Sequence, residues 1–212
     1  MPVFYSRAIF FGFGLYLVAQ AAAARDGEAV APAAPSLGAS PAPAAKLAPE
    51  QARAQTLDAL FKELRLADSP DDARRVAESI EQLWLQTYSP TAALLMKRVE
   101  SAEQAGQRAL ALSLLDKVTA IEPYWAEAWN QRARVRYSTG DFDGAMADIS
   151  RAIKLEPRHF GALAGMAAIL EAAGLDERAL EIWKKILSIY PLEADVQKRI
   201  NSLEAEIGGR EL

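Results

Sequence analysis

Cysteine is absent from this chain of 212 residues, and histidine occurs once, at His159. Without cysteine the chain has no disulfide, no thiol nucleophile and no thiolate metal ligand. A single histidine also excludes a metal site built from several histidines. No nucleophile and base form a recognisable motif, and the glycines form no phosphate-binding loop. The sequence therefore predicts a protein that is not an enzyme and that uses no cofactor and no metal.

Positive charge is in slight deficit, with 24 Lys and Arg residues against 28 Asp and Glu residues and a net charge of −4 at pH 7. A protein that neutralises nucleic-acid phosphates needs an excess of positive charge. The balance therefore argues against a nucleic-acid partner. Hydrophobic residues make up 51% of the chain and charged residues 25%, which is typical of a globular protein with a sizeable core.

Charge is also scarce at the N-terminus, where Arg7 is the only charged side chain before Arg25. Residues 9–19 form a short apolar run, and the QAAAA segment that follows offers several small-residue cleavage sites. We predict a signal peptide over residues 1–24, its removal on export, and a periplasmic protein without stable membrane insertion. The alternative is an uncleaved membrane anchor, because residues 8–24 approach the lower length limit of a membrane span.

Bulky apolar residues are few over residues 25–50, where Ala, Pro, Gly and Ser dominate. This composition cannot build a core, so we predict a flexible Ala/Pro-rich linker, with a Pro-rich recognition motif as the alternative. A helical pattern follows the linker. Ser69 and Ser89 each precede a proline, an arrangement typical of a helix start with serine as the N-cap. We therefore predict a helical pair over residues 51–90.

Glycine, alanine and proline recur at a spacing of 34 residues in the second half of the chain. The positions are Gly106, Ala111 and Pro123; Gly140, Ala145 and Pro157; and Gly174, Ala179 and Pro191. Each unit is interpreted as two helices, A and B, which are separated at the glycine, and the alanine lets helix B lie close to helix A. One pair cannot bury its apolar face alone, so the units must stack. The spacing predicts three repeats over residues 91–191.

The central repeat, residues 126–157, also carries Trp129 and Phe142, and its pattern resembles the tetratricopeptide repeat. The resemblance implies an all-α fold, a right-handed α-α superhelical solenoid, with a C-terminal capping helix that we place at residues 192–208. Residues 51–90 then form a degenerate repeat or an N-terminal cap. Because the family usually binds other proteins, the resemblance implies a non-catalytic protein–protein interaction module.

In this family ligands usually lie along the concave face, which the A helices line. Carried over by register, that face holds ten candidate partner-binding residues: Met96, Glu100, Glu103, Glu127, Asn130, Arg134, Tyr137, Ala164, Ala168 and Glu171. Tyr137, beside Arg134, is the predicted aromatic anchor. The alternative is that Tyr137 packs on the A helix of the third repeat. The Lys, Asn and Arg clamp of the family's chaperone-tail binders is missing, which argues against a C-terminal carboxylate as the ligand.

Three further polar residues have predicted structural roles. Arg132 and Arg136 stand where the family pattern prefers a leucine and a tyrosine, and they lie one turn apart on helix A. We predict that they form an ion pair with Asp148 on helix B, with a ligand contact as the alternative. We predict that His159 is a solvent-edge residue at the junction of two repeats, with a pH-sensitive contact as the alternative.

These observations together predict an exported scaffold or adaptor that binds a protein or peptide in the cell envelope of a bacterium. The alternative is a self-associating or assembly-factor subunit of an envelope complex, such as the cell-division, cytochrome-maturation or outer-membrane machinery. Light scattering separates the two, since a peptide binder is expected to be a monomer and a self-assembling subunit a stable oligomer.

Overall fold

The computed structural model describes residues 49–210, and this range contains nine α-helices and no strand. The helices are α1 Pro49–Arg65, α2 Pro70–Trp84, α3 Pro90–Gln104, α4 Arg108–Ile121, α5 Ala126–Ser138, α6 Phe142–Leu155, α7 Phe160–Ala172, α8 Asp176–Ile189 and α9 Ala194–Arg210. The predicted all-α fold is therefore confirmed. The predicted signal peptide, residues 1–24, lies outside the described range. The predicted linker, residues 25–50, also lies outside the described range up to residue 48. Its last two residues, 49 and 50, belong to α1.

Helices α3 to α8 form three pairs, and a glycine with a left-handed backbone joins the two helices of each pair. Gly106, Gly140 and Gly174 have φ angles of +69°, +83° and +71°, a region that glycine enters without steric cost. Beyond Gly140, the backbone N–H of Asp141 donates to the carbonyl of Arg136 over 3.0 Å. This bond satisfies a free carbonyl at the end of α5. The 34-residue glycine pattern is therefore a pattern of helix ends.

The repeated alanines lie at the contact between helix B and helix A. Ala111, Ala145 and Ala179 are completely buried. Ala145 packs in one cluster with Ala133 of α5, and Ala179 packs with Leu170 of α7. A larger side chain at these positions would force the two helices apart, because protein interiors leave few voids.

Replacing Ala145 with leucine should therefore lower the free energy of unfolding by about 1–3 kcal/mol through overpacking. Chemical denaturation followed by circular dichroism measures this change. Ala147, which is exposed on the same helix, provides the control, since Ala147→Leu should change stability by less than about 0.5 kcal/mol. An unchanged midpoint for Ala145→Leu would show that the assigned repeat register is wrong.

The last helix, α9, closes the C-terminal end of the stack. Leu203 is completely buried in a cluster with Leu170 and Ala179. On the opposite side Asp195 and Lys198 form an exposed ion pair within α9. One apolar face and one charged face are what the end of a helical repeat array requires, so α9 is the predicted capping helix.

The N-terminal pair, α1 and α2, packs elsewhere than on the first repeat. Its buried side chains share one core with buried residues of α7, α8 and α9 and with Tyr190, which directly follows α8. On the side of the pair they are Leu57, Phe61, Leu64, Ala73, Val76, Ala77, Ile80 and Trp84, and on the other side Phe160, Leu163, Ile186, Val196 and Ile200. No buried residue of α3 or α4 belongs to this core. The segment predicted as a degenerate repeat ahead of the first repeat therefore lies against the third repeat and the capping helix.

Specific contacts fix the N-terminal pair in this position. The Trp84 ring stacks on the His159 ring, with the ring centroids 4.1 Å apart. Trp125 Nε1 donates to the backbone carbonyl of Trp84 over 2.7 Å. Arg158 on the junction before α7 pairs with Asp58 of α1 at 2.7 Å. Trp84 and Trp125 are the largest side chains in these contacts, and burying aromatic rings of this size is a strong driving force for packing.

Candidate interaction surface

The predicted partner-binding residues lie on α3, α5 and α7, and they differ in exposure. Glu100 and Arg134 are exposed, whereas Glu127 and Asn130 are buried. The other six are half-buried: Met96, Glu103, Tyr137, Ala164, Ala168 and Glu171. Two of the ten predicted residues are therefore withdrawn from solvent and do not belong to an accessible surface.

Glu127 and Asn130 are buried because they form a hydrogen-bonded network with His159. Asn130 Nδ2 donates to Glu127 Oε2 over 3.1 Å, and His159 Nε2 lies 2.9 Å from the same oxygen. Buried polar groups are normally satisfied in this way, since an unpaired one is costly. The network therefore stabilises the junction of α5 and α7.

His159 is only 2% exposed, so the prediction of a solvent-edge residue is wrong. Its Nδ1 accepts a hydrogen bond from the backbone N–H of Ala162 over 3.2 Å, which makes His159 the N-cap of α7. Because Nδ1 accepts, the ring proton lies on Nε2, and Nε2 donates to Glu127. The stacked Trp84 ring covers the imidazole. His159 is buried because it caps α7, hydrogen-bonds to Glu127 and stacks on the Trp84 ring.

The predicted ion pair of Arg132 and Arg136 with Asp148 is confirmed. Arg132 Nε and Nη2 donate to the two carboxylate oxygens of Asp148 over 2.8 and 2.7 Å, and Arg136 Nη1 lies 3.1 Å from Asp148 Oδ2. The hydrogen bond with Asp148 raises the pKa of Arg132 above its ordinary value. Arg132 Nη1 also donates to Asp116 of α4 over 2.9 Å. These donors hold repeats one and two together, so the ligand alternative is not supported.

An accessible charged strip runs from α3 to α5, and it consists of Glu100, Glu103 and Arg134. Burial raises the pKa of the half-buried Glu103, and the charge of Arg134 opposes that rise. Arg134 Nη1 donates to Gln131 Oε1 over 2.7 Å. Because a guanidinium has five N–H donors and this side chain is exposed, Arg134 keeps donors for a ligand.

Tyr137 lies beside this strip and is half-buried. Its ring meets the Phe142 ring edge to face, with centroids 5.3 Å apart. It also packs on an apolar cluster that includes Ala162 and Ile169 of α7. One part of the Tyr137 side chain is therefore packed against the protein, and the other part is open to solvent.

At the third repeat, the carboxylate of Glu171 already has partners. Arg199 of α9 donates to it through Nε and through Nη2, the latter over 2.7 Å, and Trp183 Nε1 also donates to it. Ala164 packs beside the core of the N-terminal pair. Of the three predicted residues on α7, Ala168 alone has no such role among the described contacts.

Glu81 on α2 is a carboxyl whose surroundings sequence reasoning did not predict. Its carboxyl is desolvated by surrounding protein and lies near the charge of Glu127, and both effects raise the pKa of Glu81 above its ordinary value. One side of the residue remains exposed, which screens the effect. When folding raises the pKa of a carboxyl, the free energy of unfolding falls as the pH rises through that pKa. Where the carboxyl is protonated in both the folded and the unfolded state, it has no effect on stability.

Glu81→Gln should therefore be more stable than the wild type at pH 7, and the difference should vanish at pH 4 and below. Denaturation midpoints at the two pH values measure this. Glu63→Gln on α1 is the matched control, because it removes a carboxyl from an exposed position. A variant that is less stable than the wild type at pH 7 would contradict the expectation.

None of the helices within residues 49–210 is long and apolar enough to cross a membrane. The same part of the chain holds no group of three or more His, Cys, Asp or Glu side chains that is arranged to hold a metal ion.

Several known proteins resemble this chain. The family model described as Tetratricopeptide repeat matches residues 126–159, which cover the central repeat. A curated protein of Rhizobium etli described as a TPR repeat-containing protein is 39% identical over 155 residues, which are 73% of this chain and 76% of the relative.

Solved structures share the fold at lower identity. The first TPR of Spaghetti (RPAP3) bound to an HSP90 peptide aligns with a TM-score of 0.54 and 18% identity over 57% of this chain and 95% of that one. The crystal structure of MamA protein aligns with a TM-score of 0.52 and 18% identity over 76% of this chain and 86% of that one. These likenesses support the helical superhelix. The chain belongs to the tetratricopeptide repeat family, whose domains are typically non-catalytic scaffolds that bind proteins or peptides.

Proposed function

We propose that this protein is an exported, non-catalytic scaffold or adaptor that binds a protein or peptide in the cell envelope of a bacterium. The signal-peptide pattern of residues 1–24 supports export, and the relative in a bacterium supports the source. In this proposal the leader is removed and the mature protein is periplasmic. N-terminal sequencing of protein from the envelope fraction tests this. An intact Met1 in the membrane fraction would support the anchored alternative.

The accessible strip on α3 and α5 is the observation that carries the proposal. Exposed Glu100 and Arg134 and half-buried Glu103 and Tyr137 lie on neighbouring A helices. Arg and large aromatic residues are the usual anchors of protein interfaces. RPAP3 was solved with a peptide of HSP90, but this chain has the acid Glu100 and no clamp at the positions that would hold a carboxylate tail. The proposed partner is therefore a folded protein or an internal peptide segment.

Two substitutions test the strip, with melting temperature and partner capture measured on the same purified protein. Arg134→Ala should leave the melting temperature within a few degrees and reduce capture roughly tenfold, or about 1.4 kcal/mol. Tyr137→Ala should reduce capture too, and it should lower the melting temperature because the ring packs on an apolar cluster and on Phe142.

A matched aromatic control comes from Tyr124, which is 79% exposed outside the A-helix strip. Tyr124→Ala should change neither capture nor melting temperature. If folded Arg134→Ala captures the partner as well as the wild type, the strip is not the binding surface.

Self-association is the second candidate function, and one observation favours it. Leu94 on α3 is 60% exposed, while Ala128 and Ala162, one and two repeats later, are fully buried. The side of the first repeat that carries Leu94 is therefore uncovered. In this alternative, a second copy of the chain packs on it. Light scattering should then show an oligomer that Leu94→Asp disperses. A monomeric wild type would exclude it.

A further inference from the structure

Basic and apolar side chains meet on α4 and α6, the B helices of the first two repeats. Lys117 and Ile121 lie four residues apart on α4 and share one face of that helix, and Arg151 and Lys154 lie three residues apart on α6 and also share a face. The guanidinium carbon of Arg151 lies 5.9 Å from the centroid of the Tyr124 ring, which follows α4. This contact joins the two faces into one surface. We name it the basic face, and it consists of Lys117, Ile121, Tyr124, Arg151 and Lys154.

Arg151 is held in position without a counter-charge. Its Nη2 donates to the backbone carbonyl of Pro123 over 3.3 Å, and its guanidinium carbon also lies 5.9 Å from the centroid of the Trp129 ring. Aromatic faces attract a cation, but no carboxylate among the described residues pairs with this one. A guanidinium has five N–H donors. Arg151 therefore keeps donors for an anion outside the chain.

The two lysines of the basic face also lack a counter-charge. Lys117 and Lys154 are exposed, and in the part of the chain that the structure describes neither forms an ion pair. The carboxylate of Asp116, next to Lys117, is paired with Arg132 at 2.9 Å. Glu122 in the same segment is one negative charge against three positive ones. The basic face is therefore positive, although the whole chain has a net charge of −4.

The apolar members of the basic face extend into solvent. Tyr124 is 79% exposed and Ile121 is 44% exposed. A tyrosine combines an apolar ring with a polar tip, and such side chains are enriched where protein meets the boundary between lipid and water. Exposed apolar groups beside cations are the composition of a surface that lies on a membrane.

The cations of the basic face belong to a row that the repeat generates. Lys117, Arg151 and Lys185 follow one another at intervals of 34 residues, so each repeat places one cation at the same position of its B helix. Lys185 is exposed and, like the other two, has no ion pair among the residues of α1 to α9. A repeated row of cations fits the repeated phosphates of a lipid layer better than it fits a single carboxylate of a protein.

We propose that the basic face binds the surface of an anionic membrane. The lysines and Arg151 contact lipid phosphates, and Tyr124 and Ile121 enter the headgroup boundary. The protein then lies on the membrane without crossing it. This inference goes beyond the proposed function and does not depend on it, because it concerns the B helices and not the charged strip.

Co-sedimentation with vesicles tests the proposal. The protein is the chain from residue 25 onwards, which keeps α1 to α9 and lacks the apolar run 9–19 that would bind vesicles by itself. The vesicles contain phosphatidylglycerol and phosphatidylcholine in equal parts, or phosphatidylcholine alone. We expect at least about tenfold tighter binding to the anionic vesicles. Added salt should weaken this binding, because it screens the attraction.

The double variant Lys117→Gln, Lys154→Gln should bind the anionic vesicles about tenfold more weakly, since each cation near the membrane adds attraction. Circular dichroism checks that it is folded. The control is Arg98→Gln, Lys198→Gln, which removes the same charge from exposed positions on α3 and α9 and should bind like the wild type. Tyr124→Ala should also weaken binding, although it removes no charge.

Three results would overturn the proposal: no binding of the wild type to the anionic vesicles, equal binding to both kinds of vesicle, or the same loss in both double variants. An acidic protein is the competing occupant. A discrete protein crosslinked from position 117 in intact cells, by a chain that does not bind vesicles, would assign the basic face to that protein. The capture test of Arg134 and Tyr137 uses no membrane, so failure of either experiment leaves the other standing.

Discussion

Replacing Asp148 with alanine should lower the free energy of unfolding by about 3–5 kcal/mol, because it leaves two guanidinium groups without their shared counter-charge. Asp148 is 2% exposed and meets both Arg132 and Arg136. Urea denaturation followed by circular dichroism measures the change. Asp143, which is exposed at the start of the same helix, provides the control, since Asp143→Ala should cost less than about 1 kcal/mol.

A triple variant separates the value of the ion pair from the cost of breaking it. Arg132→Met, Arg136→Leu and Asp148→Ile gives the central repeat the residues that the third repeat carries at the corresponding positions. Replacing a whole buried ion pair with apolar residues is often neutral or stabilising, so we expect the triple variant to recover most of the loss. A triple variant as unstable as Asp148→Ala would show that the charges have another role.

Trp84→Ala should be the second strongly destabilising substitution, at about 3–5 kcal/mol. The ring is 5% exposed, stacks on His159 and packs against Phe61 and Phe160. Its removal leaves a cavity between the N-terminal pair and the start of the third repeat. Denaturant unfolding measures the loss, and we expect α1 and α2 to unfold at a lower denaturant concentration than the repeats.

The control for this substitution is Tyr124→Ala, which removes a large aromatic ring that is 79% exposed. That change should alter stability by less than about 0.5 kcal/mol. A loss below about 1 kcal/mol for Trp84→Ala would mean that the N-terminal pair is not packed on the third repeat in solution.

Short-range rules explain why the repeat itself could be predicted. A positive φ at Gly140 and complete burial of Ala145 are local requirements, and each repeat meets them at the same place. The contact between Arg132 and Asp148 spans 16 residues within one repeat, so the repeat register was enough to predict it.

Longer-range pairs could not be read from the repeat. Arg158 and Asp58 lie 100 residues apart, and no spacing in the sequence relates them. The apolar stripe of α2 indicates that Trp84 is buried, but a stripe does not specify its receptor surface. His159 was misplaced for the same reason, since the ring that covers it comes from α2.

The candidate surface was predicted in part. Exposed Arg134 and Glu100 follow from the register of the A helices. Glu171 was expected to face a ligand, but Arg199 of α9, 28 residues away, occupies its carboxylate. Single-repeat reasoning does not include the charges that a capping helix brings to its neighbour.

Site-specific photocrosslinking in intact cells tests most directly whether the concave face binds a partner protein. The photoreactive residue is placed at Glu100 or Arg134, with Ser113, exposed on α4, as the matched control. We expect one discrete crosslinked partner from the first two positions and none from Ser113. A partner captured from Ser113 and from neither Glu100 nor Arg134 would contradict the proposal.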